Sequence, residues 1–187
     1  MSQSTTEPAA LTAPEVLATQ RLTLRRPRLE DAAALFAEYT HDAEVARFLT
    51  WKPSQSAEET GKYIERSLKR WESGEGFSWL LVLKAEDRPI GAIGCDVKEC
   101  RASVGYCMAR RCWGQGLMTE AVKAVSDWAL SCPNIFRVWA CCDCENVASA
   151  RVMEKCGMQR EGILRRWIVL PNVSAEPRDC LVYSRVR

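Results

Sequence analysis

Two glycines near the middle of the chain, Gly114 and Gly116, stand between a strand pattern and a helix pattern. Apolar residues alternate over 102–109, and they recur at helical spacing over 116–130. Glycine allows positive φ and close approach of a ligand to the backbone, while the first amides of a helix lack intrahelical acceptors. The helix dipole adds partial positive charge at the same end. This junction therefore predicts a binding site for a phosphate or pyrophosphate group.

Three kinds of phosphate-binding loop compete for this junction. A P-loop requires a lysine that the segment lacks. A dinucleotide-binding fingerprint requires a third Gly or Ala where Thr119 stands, and it opens a βαβ unit instead of following a meander of hairpins. The pyrophosphate loop of coenzyme A sites has Arg or Gln, then Gly three residues later and Gly or Ala two residues after that. Arg111, Gly114 and Gly116 match this pattern in full. A glycine-rich helix entry without a ligand is the remaining alternative.

The order of the apolar patterns predicts the surrounding fold. Strands joined by short turns pair antiparallel, whereas the crossover through the 116–130 helix is long enough for one parallel pair. We therefore predict an α+β fold with a mixed, mostly antiparallel central sheet of six to seven strands flanked by helices. The predicted strands are 21–25, 77–84, 90–97, 102–109, 136–142, 158–170 and 179–186.

Helix signals and length complete the organisation. Helical spacing over 29–39 predicts a first helix, the capping box at 56–59 begins a second, and Asn146 caps a short one. A length of 187 residues suits one domain. We expect a single domain over residues 21–187 and a flexible N-terminal tail over the polar residues 1–20.

Charge and hydropathy exclude several classes of partner. Lys plus Arg number 26 and Asp plus Glu number 24, a net charge of +2 that requires neither nucleic acid nor an anionic membrane. No apolar run approaches the roughly 18 residues of a membrane span, and the N-terminus lacks the features of a secretory signal. We expect a cytoplasmic protein with no nucleic-acid and no membrane partner.

Ten cysteines are the unusual feature of the composition. No export signal indicates an oxidising compartment, and His41 is the only histidine available to complete a zinc site. Several of the cysteines fall in strand patterns, where Cys behaves as a small apolar residue. We therefore predict structural use in the core and no metal site, with a metal- or redox-responsive protein as the alternative.

Further motifs at ordered spacing extend the evidence over most of the chain. They are 21–25, Trp51-x-Pro53, Gly105-Tyr106, Trp113-Gly-Gln-Gly116, Thr119-Glu-Ala121, Asn146-x-x-Ser149-x-x-Val152-Met153-Glu-Lys155-Cys-Gly157 and Glu161-Gly162. In this combination the chain resembles the GNAT superfamily of acetyltransferases, and within it the ribosomal-protein N-terminal (Rim-type) branch. The likeness covers about residue 20 to the C-terminus.

The resemblance implies acetyl-CoA as cosubstrate. It also implies that the two parallel strands splay apart, so that the pantetheine arm enters the gap and pairs with the backbone of 106–108 like an added strand. The implied cofactor-binding residues are Tyr106, Cys107, Met108, Arg111, Cys112, Trp113, Gly114, Gln115, Gly116, Asn146 and Ser149.

Ser149 is the candidate general acid, because its hydroxyl lies on the same side of the helix as Asn146 and can stabilise a leaving thiolate. A structural serine bonded to a backbone carbonyl is the alternative. Many enzymes of the family place a tyrosine acid where Met153 stands, and methionine cannot donate a proton. Glu120 and Asp96 are the candidate bases, although Glu120 also suits a first-turn role that complements the helix dipole.

The implied reaction is direct transfer of an acetyl group to a primary amine in a ternary complex, without a metal. Trp51 and Trp167 are predicted to line the acceptor mouth. As the acceptor, a protein N-terminus fits the Rim-type branch, and a small amine is the other candidate. The sequence is compatible with a monomer and with a homodimer. The alternatives are a non-catalytic CoA-binding module and transfer of a longer acyl group such as succinyl.

Overall fold

The structure, a computed structural model, describes residues 11–187. Eight strands form one sheet in the order β1-β2-β3-β4-β5-β6-β8-β7, and only β5 and β6 are parallel. The strands are β1 (Val16–Ala18), β2 (Leu22–Arg25), β3 (Gly76–Leu83), β4 (Arg88–Lys98), β5 (Arg101–Met108), β6 (Arg137–Asp143), β7 (Gln159–Val169) and β8 (Pro177–Val186). The predicted α+β fold is confirmed, with one strand more than the predicted six to seven.

The additional strand, β1, lies in the segment that was predicted to be a flexible tail. Val16–Ala18 pairs antiparallel with β2. Nearby, the Trp79 indole N–H donates to the carbonyl of Pro14 at 2.9 Å, and Ala13 is buried. The tail prediction is wrong for this stretch, because its backbone extends the sheet edge and its side chains join the core. Residues 1–10 of the predicted tail lie outside the described residues.

Five α-helices accompany the sheet within the described chain. They are α1 (Ala32–Leu35), α2 (Ala43–Ala46), α3 (Ala57–Ser73), α4 (Leu117–Ser131) and α5 (Val147–Lys155). A 3-10 turn precedes α1 and a π-helical turn, Phe36–Thr40, follows it, so the predicted first helix is present but irregular. At α3 the Ser56 hydroxyl accepts from the Glu59 amide, and Gly74 ends the helix with a φ of 72°.

The sheet separates two apolar clusters. α4 and α5 cover one face, where Val122, Val125 and Met153 are fully buried against the strands. On the other face, residues of α1 and α3 such as Leu35 and Ile64 pack over β3 and β4. Six of the ten cysteines are buried, and all ten are free thiols. The predicted structural use of cysteine is confirmed for these six.

Candidate active site

β5 and β6 run parallel, but their pairing covers only the start of each strand. On β5 it extends from Arg101 to Ser103. Beyond that point β5 stays paired with β4 as far as Met108, and β6 stays paired with β8 as far as Asp143. Within the described residues, the facing backbone edges of the two strands therefore diverge without a strand partner. This is the splay that the family resemblance implies.

A cavity of about 550 Å³ opens at the splay. Its walls come from the end of β5, the glycine loop (110–116), the first turn of α4, α5 and the α2 segment (42–49). Eight of the eleven predicted cofactor-binding residues line it: Tyr106, Cys107, Met108, Trp113, Gly114, Gly116, Asn146 and Ser149. Residues far apart in sequence thus converge on one cleft.

The glycine loop presents free donors to this cavity. Gly114 and Gly116 have φ of 73° and 78°, a region that other residues rarely adopt. Gly116 is the N-cap of α4, and no side chain caps that helix. In residues 11–187, the amides of 114–116 have no backbone acceptor. A Cβ added at Gly114 would meet no atom within 4 Å. The loop therefore has the unpaired amides and the open space that an anion requires.

The other three predicted residues support the loop from outside the cavity. Arg111 donates to Glu86 at 2.8 and 3.1 Å and also pairs with Glu38, and these hydrogen bonds raise the pKa of its guanidinium. Cys112 is buried in the core, and its amide donates to a carbonyl within the preceding turn. The Gln115 side chain donates to the carbonyl of Arg111 at 2.9 Å. The amides of Cys112 and Trp113 are used within this turn, so the free amides beside the cavity are those of 114–116.

Ser149 lies on the cavity wall within a small polar cluster. Its hydroxyl is 2.8 Å from the Tyr106 hydroxyl, and the Asn146 side chain accepts from its amide at 3.2 Å. Burial raises the pKa of Tyr106, so this phenol stays protonated and available as a donor. Burial also raises the pKa of the neighbouring Cys142 thiol to about 12, and a hydrogen bond with the Ser149 side chain offsets only part of that rise. Asn146 therefore caps α5 and lines the cleft as well.

Glu120 does not reach the cavity. Its carboxylate accepts from the Arg21 amide at 2.7 Å, from Arg21 Nε at 2.9 Å and from the Thr19 hydroxyl. Burial alone would raise the pKa of Glu120, but these hydrogen bonds and the Arg21 charge hold it below its usual value. Arg21 also donates to the Gln115 carbonyl at 2.9 Å. The assignment of Glu120 as a base is corrected here: the carboxylate anchors the glycine loop.

Asp96 is also placed away from the cavity. It lies opposite Ser103 in the β4–β5 register, five residues from the end of β5 that lines the cleft. Its carboxylate forms an ion pair with Arg70 of α3 at 2.9 Å, and it is half exposed. Its assignment as a base is corrected as well, because strand geometry carries the carboxylate away from the reacting end.

The two predicted acceptor-site tryptophans lie outside the 550 Å³ cavity. Trp51 is half-buried, and its carbonyl accepts from the Asn172 side chain at 2.7 Å. Trp167 is 53% exposed on β7. It adjoins the Cys141 thiol, whose pKa is raised by burial and only partly lowered by the indole. Trp167 therefore stands beside the splay, on the sheet face opposite α5.

The α2 segment is the wall that the sequence analysis missed. Five of its residues line the cavity: Glu44, Val45, Arg47, Phe48 and Leu49. Asp42 pairs with Arg110 at 3.2 Å, and Asn172 donates to the carbonyl of Ala46 at 2.7 Å. The segment is thus fixed both to the glycine loop and to the β7–β8 connection. A four-residue helix has too little periodicity to be detected from sequence.

The α5 wall also contributes residues that were not predicted: Ala148, Arg151, Val152 and Lys155. A signal for two of them existed, because Val152 and Lys155 follow Ser149 at helical spacing and therefore lie on its side of the helix. Arg151 and Lys155 bring positive charge to the cleft opposite the glycine loop. Met118 and Thr119 of α4 complete the lining.

The cavity thiol on β5 is not activated. Burial raises the pKa of Cys107 to about 11, so it is a neutral thiol near pH 7. Among the described residues, no group of three or more His, Cys, Asp or Glu side chains is arranged to hold a metal ion. Within the same part of the chain, no helix combines the length and the apolar character needed to cross a bilayer.

Comparison with known proteins agrees with this architecture. A family profile described as an acetyltransferase (GNAT) domain matches residues 21–159. Among curated proteins the chain is similar to p20 of Bacillus licheniformis, described as an uncharacterized N-acetyltransferase. The identity is 32% over 154 residues, which cover 81% of this chain and 86% of p20.

Solved structures share the fold. One is MccE, a microcin self-immunity acetyltransferase in complex with acetyl-CoA and AMP. It matches with a TM-score of 0.83 at 21% identity, over 94% of this chain and 98% of MccE. Another is RimL, a ribosomal alpha-N-protein acetyltransferase in complex with coenzyme A. Its TM-score is 0.80 at 22% identity, over 92% of this chain and 98% of RimL. At these identities the likeness concerns the fold alone.

Proposed function

The chain belongs to the GNAT acetyltransferase family, and from that premise we propose that it transfers an acetyl group from acetyl-CoA to a primary amine. One observation carries the proposal. The unpaired edge of β5, the free amides of the glycine loop and the Ser149 hydroxyl all border a single cavity of about 550 Å³.

Acetyl-CoA fits the chemistry of this cleft. The amides of 114–116 and the start of α4 would bind the pyrophosphate, with Arg151 and Lys155 adding charge on the opposite wall. The free edge of β5 at 106–108 would pair with the amides of the pantetheine arm as a neighbouring strand does. The bound cosubstrate supplies an activated acetyl thioester.

Ser149 is the proposed general acid. Its Oγ would donate a proton to the sulfur that leaves as the amine attacks, and the proton that the amine loses would return to Oγ and restore the hydroxyl. The Tyr106 hydroxyl would donate a hydrogen bond to Oγ and orient it. A backbone amide of β5 would stabilise the oxyanion that forms on the acetyl carbonyl. Direct attack in a ternary complex is consistent with the raised pKa of Cys107, which disfavours an acetyl-cysteine intermediate.

The amine must be neutral when it attacks, so a base has to accept its proton. Glu120 and Asp96 are held in ion pairs elsewhere. Glu44 is the acidic side chain among the residues that line the cavity, and we assign it this role, directly or through a water molecule.

The proposed acceptor is a protein N-terminus or a small amine. The RimL likeness supports the first of these, since RimL is described as acting on a ribosomal protein. The test incubates the protein with acetyl-CoA and a panel of amines that contains N-terminal peptides, amino-acid amides and polyamines. Release of free CoA thiol is recorded together with the mass of the acceptor. We expect thiol release that depends on one acceptor class. If acetyl-CoA raises the melting temperature but no amine is acetylated, the protein is a CoA-binding module and the proposal fails.

A further inference from the structure

Two adjacent arginines of the glycine loop pair with the part of the chain that carries the α2 wall. Arg110 Nε lies 3.2 Å from Asp42 Oδ2, at the start of the α2 segment. Arg111 forms an ion pair with Glu38, in the π-helical turn that precedes this segment. Both arginines lie outside the lining of the 550 Å³ cavity. Two ion pairs therefore join the loop assigned to the pyrophosphate to another wall of the same cavity.

The carboxylate of Asp42 makes two contacts at once. Its Oδ1 accepts from the Glu44 amide at 2.9 Å as the N-cap of α2, while its Oδ2 faces Arg110. α2 contains only four residues, and isolated helices shorter than about 12 residues are not stable in water. Its conformation therefore depends on contacts at its two ends: the Asp42 cap, which Arg110 holds, and the bond from Asn172 to the carbonyl of Ala46.

The two ion pairs differ in strength. The Glu38 side chain is only 8% exposed and also accepts from Arg88 at 3.1 Å, so its pair with Arg111 is screened little by solvent. Arg110 is 60% exposed, and an ion pair at such a site changes an equilibrium by up to about fivefold. The Arg111 pair therefore keeps the two parts of the chain adjacent, whereas the Arg110 pair is weak enough to depend on the order of the loop.

The order of the loop depends in turn on an anion. The free amides of 114–116 become hydrogen-bonded when a pyrophosphate binds, which restricts the loop and the turn Arg110–Cys112 that begins it. A group that is already ordered loses less conformational entropy when it binds a partner. Binding of the anion thus makes the pairing of Arg110 with Asp42, and with it the folding of α2, less costly.

We propose that Arg110 is a positioning residue that couples the glycine loop through Asp42 to the α2 wall, so that binding of acetyl-CoA orders this wall for the acceptor. The proposal rests on the acetyltransferase function proposed above. An acceptor that binds after acetyl-CoA meets the α2 segment already folded. Because coupling between two binding sites is reciprocal, the acceptor strengthens the binding of acetyl-CoA by the same factor.

The first experiment measures hydrogen exchange of the amides of 43–49 with and without acetyl-CoA. We expect acetyl-CoA to slow their exchange in the natural chain. In Arg110→Gln acetyl-CoA should still bind, but most of this protection should be lost. Asp42→Asn should show the same loss, because asparagine keeps a good N-cap and removes only the charge. The double variant should lose no more than either single variant, whereas Arg110→Lys should keep part of the protection.

The second experiment measures kinetics with the amine that supports thiol release. In Arg110→Gln the KM for this acceptor should rise about two- to fivefold, the effect of one exposed ion pair, while kcat changes less than twofold. Arg70→Gln is the matched control, because it breaks an ion pair of 2.9 Å between α3 and Asp96 of β4, away from the cavity. This control should keep both the protection of 43–49 and the KM for the acceptor.

The outcomes separate this proposal from the proposed function. Equal protection of 43–49 by acetyl-CoA in Arg110→Gln and in the natural chain would overturn the coupling, and so would a fall in kcat with an unchanged KM for the acceptor. Melting temperatures show that each variant is folded. If acetyl-CoA does not bind to the natural chain, or no amine is acetylated, the proposed function itself is refuted.

Discussion

Glu120→Ala removes a carboxylate that accepts from Thr19 Oγ1, from the Arg21 amide and from Arg21 Nε. Each hydrogen bond to a charged group contributes about 1.5–3 kcal/mol. Arg21 is 44% exposed, so in the variant its donors form hydrogen bonds with water instead. We therefore expect the free energy of unfolding to fall by the contribution of one such hydrogen bond, about 2 kcal/mol. For a chain of this size that corresponds to a fall in Tm of roughly 4–8 °C.

The variant should also loosen the glycine loop, because Arg21 links Glu120 to the Gln115 carbonyl. We expect the KM for acetyl-CoA to rise several-fold while kcat stays within about twofold of the natural value. Arg21→Ala is the companion variant. Since both residues belong to one network, the double variant should lose less stability than the sum of the single losses.

Thermal unfolding at several pH values tests the role of the charge. The pKa of Glu120 is held below its usual 4.5 in the folded state. Its contribution is therefore fully present above that value and disappears as the pH falls through the folded pKa. The Tm difference between the natural chain and Glu120→Ala should shrink below pH 4.5. A fall in kcat of about a hundredfold or more with an unchanged Tm would refute this reasoning and restore Glu120 as a catalytic base.

Two pairs of substitutions test the cleft. Ser149→Ala should lower turnover more than about tenfold while acetyl-CoA still binds. Asn146→Ala should cost about 1 kcal/mol of stability for the lost cap and should also weaken acetyl-CoA binding, because Asn146 lines the cleft. Joint loss of turnover and affinity in Ser149→Ala, measured by kinetics and titration calorimetry, would make that serine structural. Gly114→Val should abolish the rise in Tm caused by acetyl-CoA. Gly157→Val is the control, because Gly157 has a similar φ of 80° and equally open surroundings but lies outside the cavity. An unaltered Tm shift in Gly114→Val would contradict the assignment of the pyrophosphate loop.

Local patterns predicted the frame of the fold well, because they depend on nearest neighbours along the chain. The alternation over 102–109 and the glycine loop correctly located the parallel crossover and the cleft. β1 was missed because three residues carry too little periodicity, and its position depends on pairing with β2 and on Trp79 reaching Pro14.

The functional side chains were harder to predict, since their partners lie far away in sequence. Glu120 occupies the first turn of a helix beside the cleft, yet its orientation is set by Arg21, 99 residues earlier. Asp96 is on β4, next to the strand that lines the cleft, but it lies near the end of β4 that is far from the cavity. The α2 wall depends on Asn172, 126 residues from the carbonyl of Ala46 that it binds. A sequence pattern identifies the helix or strand that carries a residue, whereas these long-range bonds decide where its side chain points.

The gap between β5 and β6 gives the sheet an internal edge, a line of peptide groups that stays open in the middle of the molecule. If the pantetheine arm completes that line, the cosubstrate acts as a missing strand as well as a reagent. Folding and metabolic state are then linked, because a ligand at a hundredfold excess over its dissociation constant adds about 2.7 kcal/mol to the folded state. Chains made when acetyl-CoA is scarce would open more often and reach proteases sooner. The abundance of the protein would therefore follow the supply of its own cosubstrate.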